Sequence, residues 1–197
     1  MPHDTVSFAL LCLPFAGAAL AWRMRHRQAA TWLAIGVAAL ALGLSLAVRP
    51  WLADGAVLRT VLPWLPSLGL DLVLRVDGLA WLFLLLICGI GLLVVVYARY
   101  YMPEEDRLGR FYGLLLAFMG AMVGVVTAGN VVQLAFFWEL TSLLSFLLIG
   151  YWNQGASARE GARTALIVTA GGGLCLFAGL LLLGHIAGSY ELDAILA

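Results

Sequence analysis

The stretch VVQLAFFWELTSLLSFLLIGYW, residues 131 to 152, is apolar along almost its whole length yet contains one acidic residue, Glu139. As a helix rising 1.5 Å per residue it reaches about 33 Å, enough to cross a hydrocarbon core of about 30 Å. Glu139 then lies about 12 Å along the axis from Val131, well inside the hydrocarbon and near its middle. A charge at that depth costs roughly 2.5 to 3.5 kcal/mol on insertion scales, unless it faces a partner, water or the bundle interior. At about 100° per residue, Ser142 falls about 60° from Glu139, and Ser145, Thr141 and Gln133 follow around the same broad side. The spacing predicts a helix whose polar side faces a partly hydrated protein interior, with Phe136, Leu140 and Leu144 left for packing or lipid. Two roles are open to Glu139: a proton or cation pathway, or a neutral carboxyl bonded to a neighbouring helix that holds the bundle together.

The rest of the chain matches this setting. Of its 197 residues, 63% are hydrophobic and 11% charged, and the mean hydropathy is +1.01, values that exclude an ordinary soluble domain. Five further stretches are long enough to span: Val6 to Trp22, Ala29 to Val48, Gly78 to Ala98, Phe111 to Ala128 and Thr164 to Gly184. The first is the shortest and contains Pro14. Its charges sit opposite to those of a signal peptide, with Asp4 before the run and Arg23, Arg25 and Arg27 after it, which predicts an uncleaved first helix.

The arginines predict an orientation. All eleven basic residues are arginine. Eight of them (Arg23, Arg25, Arg27, Arg99, Arg107, Arg110, Arg159 and Arg163) fall in alternate loops. Basic residues are retained on the cytoplasmic side, so the N-terminus is expected outside, in a multi-pass protein of the cell (inner) membrane. The remaining Arg49, Arg59 and Arg75 share the long outer loop with Asp54, Asp71 and Asp77. Within that loop LGLDLVLRVDG, residues 68 to 78, shows a mostly two-residue alternation that predicts an external strand, half of a hairpin with residues 57 to 64. Pro63 and Pro66 limit that hairpin to an irregular form. The fold expected is therefore an all-α membrane protein of about six transmembrane helices, with a short external β-strand or hairpin between helices 2 and 3. Gly129 and Asn130 alone separate spans four and five; both tolerate positive φ, and the two helices must be antiparallel neighbours.

Other features read more plainly. The pairs Gly109/Gly113, Gly120/Gly124 and Gly184/Gly188, and the run Gly171 to Gly173, suit close helix packing. Cys12, Cys88 and Cys175 read as buried free thiols. Glu104, Glu105 and Asp106 form a solvated turn. Arg163 stands at the inner mouth of span six, where it snorkels to headgroups or gates a proton path. His185 ends that span on the outer side and suits proton exit. No cofactor or metal site is expected, and no nucleophile stands with a base, so enzymatic chemistry has no visible seat.

Residues 76 to 102, VDGLAWLFLLLICGIGLLVVVYARYYM, and 129 to 152, GNVVQLAFFWELTSLLSFLLIGYW, resemble the antiporter-like subunits shared by multisubunit Mrp-type cation/proton antiporters and respiratory complex I. Asp77 to Leu79, Tyr97 to Met102, and Trp138 with Glu139 carry the resemblance most specifically. The sixth span and GSYELDAIL, residues 188 to 196, are similar to the MrpA-type component of the Mrp antiporter. The resemblance implies a region of two helices and the start of the outer loop over 1–69, and an antiporter-like region over 70–197. It implies exchange of Na+ or a similar cation for H+ through a half-channel that uses Glu139, with Thr141, Ser142, Ser145, Arg163 and His185 along the pathway. It further implies that other membrane subunits are partners, alongside the lipid bilayer, monovalent cations and protons; nucleic acid is not a partner.

In that family the glutamate matching Glu139 pairs with a lysine on a later helix, whose approach favours the ionised carboxylate and whose withdrawal favours protonation. Residues 1 to 197 contain no lysine, and are expected to be the first six helices of a longer subunit. The alternatives are a proton-translocating subunit of an NADH-quinone oxidoreductase-like complex, or a structural fragment that transports nothing.

Overall fold

The computed structural model describes residues 2–65, 70–104, 106–152 and 155–196. Among the described residues, six helices are long and apolar enough to cross a membrane: α1 (Pro2–Arg23), α2 (Arg27–Val48), α3 (Gly78–Tyr101), α4 (Leu108–Val126), α5 (Val131–Ile149) and α6 (Ala156–Ala187). A 3-10 turn (Arg49–Gly55) leads from α2 to the antiparallel strands β1 (Leu58–Leu65) and β2 (Leu70–Val76), and a last short helix, α7 (Leu192–Leu196), follows α6. The chain is a multi-pass, all-helical membrane protein with a small hairpin between its second and third helices.

In lipid, helices gain little by hiding apolar side chains from one another, so close backbone approach and internal hydrogen bonds hold the bundle. The sequence supplies small residues for that purpose. Along α2, Ala30, Ala34, Ala38 and Ala41 are fully buried, one stripe at helical spacing. Helix α1 lies along α4, where the glycines face it. A Cβ at Gly109 would come within 2.4 Å of the Met24 carbonyl oxygen, and one at Gly113 within 3.1 Å of the Ala18 carbonyl oxygen. The Phe15 ring packs over Gly120, and Phe137 of α5 over Gly124. The pair Gly109/Gly113 thus lies inside a helix that starts earlier than hydropathy alone indicates. Pro14 is carried within α1, since neighbouring helices compensate for a missing N–H at membrane depth. At the arginine-rich end, the Arg27 guanidinium donates to the carbonyls of Met102 (2.6 Å) and Pro103 (2.6 Å), capping the end of α3.

The thiols differ from expectation. Cys88 is buried, but Cys12 and Cys175 are exposed on the outsides of α1 and α6. An apolar span has no need to bury a small apolar side chain, because its surroundings are apolar too.

At the opposite end the hairpin becomes part of a wider set of pairings. Strand β1 pairs with β2 in the register Leu58↔Val76 through Leu62↔Leu72, and the register shifts between Leu62 and Leu65, where Pro63 interrupts the ladder; Pro66 lies outside the described residues. The other edge of β2 receives the α4–α5 turn. The Arg75 N–H donates to the Thr127 carbonyl (2.8 Å) and the Gly129 N–H to the Val73 carbonyl (2.9 Å). The turn in its own right pairs with the segment before α7, the Val131 N–H donating to the Tyr190 carbonyl (3.0 Å) and the Leu192 N–H to the Gly129 carbonyl (2.8 Å). Neither turn residue uses a positive φ: Asn130 has φ −130°, and Gly129 is not among the glycines with positive φ, Gly55 and Gly188. Gly129 serves by its small size, since a Cβ there would lie 2.5 Å from Cγ1 of Val73.

Candidate functional site

Asn130 opens α5 by accepting hydrogen bonds at Oδ1 from the N–H groups of Val132 (2.8 Å) and Gln133 (3.4 Å), an N-cap that sets where the helix begins. Gln133 in turn accepts from the Val73 N–H (3.0 Å), tying the first turn of α5 to β2. These contacts fix the helix against the hairpin, and Glu139 follows two turns later.

Glu139 is half-buried, and its Oε1 is inaccessible and lacks a hydrogen-bond partner among the described residues. The carboxyl group fits against Gly173 of α6. A Cβ at that position would stand 1.6 Å from Oε1 and 2.7 Å from Cδ. Gly173 is therefore a notch that admits the carboxyl group between the two helices. Its neighbours Gly171 and Gly172 have open space where a Cβ would be, so of the three only Gly173 is required by its surroundings within this chain.

Beside the notch runs a cleft of about 570 Å³ between α4, α5 and α6, with Gly173 in its wall. Thr141, Ser142 and Ser145 of α5 line it, and Thr169 of α6 faces them across it. Thr141 and Ser142 donate to the Trp138 carbonyl at 2.6 and 3.4 Å, and Thr169 to the Ala165 carbonyl at 2.8 Å. A hydroxyl that donates within its own helix keeps its lone pairs free to accept, and it can rotate to donate elsewhere. The arrangement offers a carboxyl group next to a set of reorientable hydroxyls in an otherwise apolar wall.

The structure thus gathers Glu139, Thr141, Ser142 and Ser145 around one junction of α5 with α6. It leaves Arg163 exposed in the early part of α6 and His185 exposed in its last turn, each about 15 to 18 Å along the helix from Gly173. Sequence reasoning does not single out Thr169 or Gly173 as pathway residues. The signal available is a glycine run in span six at a depth comparable with Glu139 in span five. Among the described residues no group of three or more His, Cys, Asp or Glu could hold a metal ion.

Comparison with known proteins gives this geometry a family. The family model for NADH-Ubiquinone oxidoreductase (complex I), chain 5 N-terminus, matches residues 64–112, and that for NADH:quinone oxidoreductase/Mrp antiporter, TM, matches residues 128–197. The chain belongs to the antiporter-like subunit family. It is 52% identical over 189 residues to the probable K(+)/H(+) antiporter A/B subunit of Rhizobium meliloti (strain 1021), covering 95% of this chain and 19% of that protein. It is 44% identical over 146 residues to the Na(+)/H(+) antiporter A1 subunit of Staphylococcus aureus (strain JH9), covering 74% of this chain and 18% of that one. Its fold superimposes on a chain of the Mrp complex from Dietzia sp. DQ12-45-1b with a TM-score of 0.84 at 34% identity, over 97% of this chain and 21% of the other. The chain spans about a fifth of the length of these curated relatives. Both of these curated relatives are antiporter subunits by name. The two stretches matched by the family models meet where β2 receives the α4–α5 turn, through the bond from Gly129 to Val73.

Proposed function

We propose that this chain forms part of a monovalent cation/proton antiporter subunit, exchanging Na+ or a similar cation for H+, and that Glu139 is the carboxyl group that takes up and releases the proton in a half-channel. The observation carrying the proposal is the Glu139 Oε1, buried without a hydrogen-bond partner among the described residues in the Gly173 notch beside a hydroxyl-lined cleft. A buried carboxyl group lacking a fixed partner is costly for packing, and is of use where a proton or a moving cation supplies the missing interaction. The names of the related K(+)/H(+) and Na(+)/H(+) antiporter subunits support the same reading. Other membrane subunits act as partners, and the lysine that opposes Glu139 in the family is supplied from outside residues 1 to 197. The protein lies in the inner membrane with its N-terminus outside, so that the eight-arginine end faces the cytoplasm.

The test is cation-driven proton movement in everted membrane vesicles carrying the assembled complex. Glu139→Gln keeps the shape and removes the titratable proton, and is expected to abolish exchange while the complex still assembles. Unchanged exchange would show that Glu139 has no part in proton transfer.

A second reading has its own support, because the family model matching residues 64–112 is described for complex I. In it the chain moves protons in a redox-driven complex whose electron chemistry lies on other subunits. Genes for flavin and iron–sulfur subunits beside this one would favour that reading over antiport.

A further inference from the structure

At the arginine-rich end, the last turn of α1, the starts of α4 and α6 and the end of α5 surround a pocket of about 850 Å³, within the range of small-ligand sites of roughly 300 to 1,000 Å³. We propose that this pocket binds the headgroup of an anionic phospholipid. Two guanidiniums, Arg107 and Arg110, line it, and both are exposed. Neither guanidinium takes part in the ion pairs seen among the described residues, which involve His3, Arg59 and Arg75. Arginine presents paired N–H donors that match the oxygens of a phosphate.

The aromatic residues place the pocket at the membrane interface. The Arg110 guanidinium lies 5.1 Å from the centre of the Trp22 ring, which holds it at the mouth. The Tyr151 hydroxyl donates to the Arg107 carbonyl (3.1 Å), and Trp152 also lines the wall. Tryptophan and tyrosine settle at headgroup depth, where one edge is apolar and the other wet. Asp106 is the one carboxylate among the described lining residues, and its Oδ2 accepts from Trp152 Nε1 (2.8 Å). Among the described lining residues, two guanidiniums thus stand against one carboxylate.

The pocket also has an apolar part. Leu114, one turn along α4 from Arg110, and Leu147 of α5 line it toward the span. That gradient, from guanidinium to leucine over one helical turn, fits a phosphodiester joined to acyl chains and gives a free phosphate nothing to bury. At the hairpin end a smaller pocket, about 550 Å³, holds one guanidinium, Arg49, 5.8 Å from the Trp81 ring. It serves as an internal comparison.

Basic pockets between transmembrane helices recognise anionic headgroups, at about fivefold in affinity per arginine. The experiment is native mass spectrometry of the purified chain in mixed micelles with phosphatidylglycerol or phosphatidylcholine. Retention of phosphatidylglycerol over phosphatidylcholine is expected. The double substitution Arg107→Gln/Arg110→Gln is expected to weaken phosphatidylglycerol retention roughly 25-fold, and Arg49→Gln to leave it unchanged. Circular dichroism checks that the helices persist; should the double variant lose them, Arg110→Gln alone is expected to give about a fivefold loss. Equal retention of the two lipids, or retention insensitive to both Arg107 and Arg110, would overturn the proposal. So would displacement of the lipid by excess inorganic phosphate, which would mark a site for free anions.

Discussion

The pairing of Glu139 with Gly173 is decided by a few atoms. The three atoms that a side chain at Gly173 would meet first all belong to the flexible end of Glu139. The carboxyl group can rotate out of the way, so Gly173→Ala is expected to cost about 1 kcal/mol of stability or less, the usual range away from rigid packing. The same rotation removes the carboxyl group from its notch, so proton exchange is expected to fall well below wild type while thermal stability in detergent changes little. Equal exchange rates in the two proteins would show that the notch does not position Glu139. The position of Glu139 along its helix is legible from residue counting, since 1.5 Å per residue fixes distance along an axis. Its partner glycine is not, because facing depends on how two helices rotate against each other.

At the scale of elements, the glycines of α4 differ from Gly173 in what a methyl group would strike. Gly109 meets the carbonyl oxygens of Met24 and Ala21 at 2.4 and 2.5 Å, and backbone atoms cannot swing aside. Gly109→Ala therefore forces α1 away from α4 and is expected to destabilise the bundle by about 1 to 3 kcal/mol, read as a lower unfolding midpoint in detergent. Asn130→Ala is expected to cost about 1 kcal/mol through loss of the α5 cap, measured in the same way. The four-residue glycine spacings are visible in sequence and do mark packing. The turn chemistry differs: Gly129 and Asn130 suggest positive φ, whereas the structure uses glycine for the approach of Val73 and asparagine as a cap. A dipeptide has several physical uses, and the neighbour that selects among them lies more than fifty residues away in β2.

Across the whole molecule, an ionic clasp joins hairpin, α3 and α7. Arg59 and Arg75 stand opposite each other in the β1–β2 register, an arrangement that repels unless acids intervene. Here Arg59 pairs with Glu191, and Arg75 pairs with Asp193 (2.7 Å) and Asp77 (2.5 Å). Helix α6 packs chiefly on α5, so this clasp holds its far end in place and with it the wall containing Gly173. Burial works against ionisation of Asp77, but the Ala80 N–H and the Arg75 guanidinium outweigh it and hold the carboxyl below its usual range. A carboxyl group whose folded value is depressed stabilises the fold above the unfolded value and loses that contribution as pH falls through the folded one. The clasp is therefore expected to be intact at neutral pH and to weaken below about pH 4. Hydrogen exchange in α7 and β2 is expected to rise on acidification, and Asp77→Asn to reduce that acid response; exchange that does not change with acid would remove the clasp from this role.

The sequence by itself determined the number of spans, the position of the hairpin, the short α4–α5 connection and the place of Glu139 along α5. Each follows from hydropathy, alternation or length, which are properties of neighbouring residues measured against a bilayer of known thickness. Only the tertiary structure decided that Gly173 receives Glu139, that Thr169 faces the α5 hydroxyls, that Cys12 and Cys175 point outward, and that Arg75 joins two acids from distant segments. These depend on the rotation of each helix about its axis. Inside an apolar medium, side chains facing lipid and side chains facing protein look alike in composition, so shape and hydrogen bonding settle the rotation.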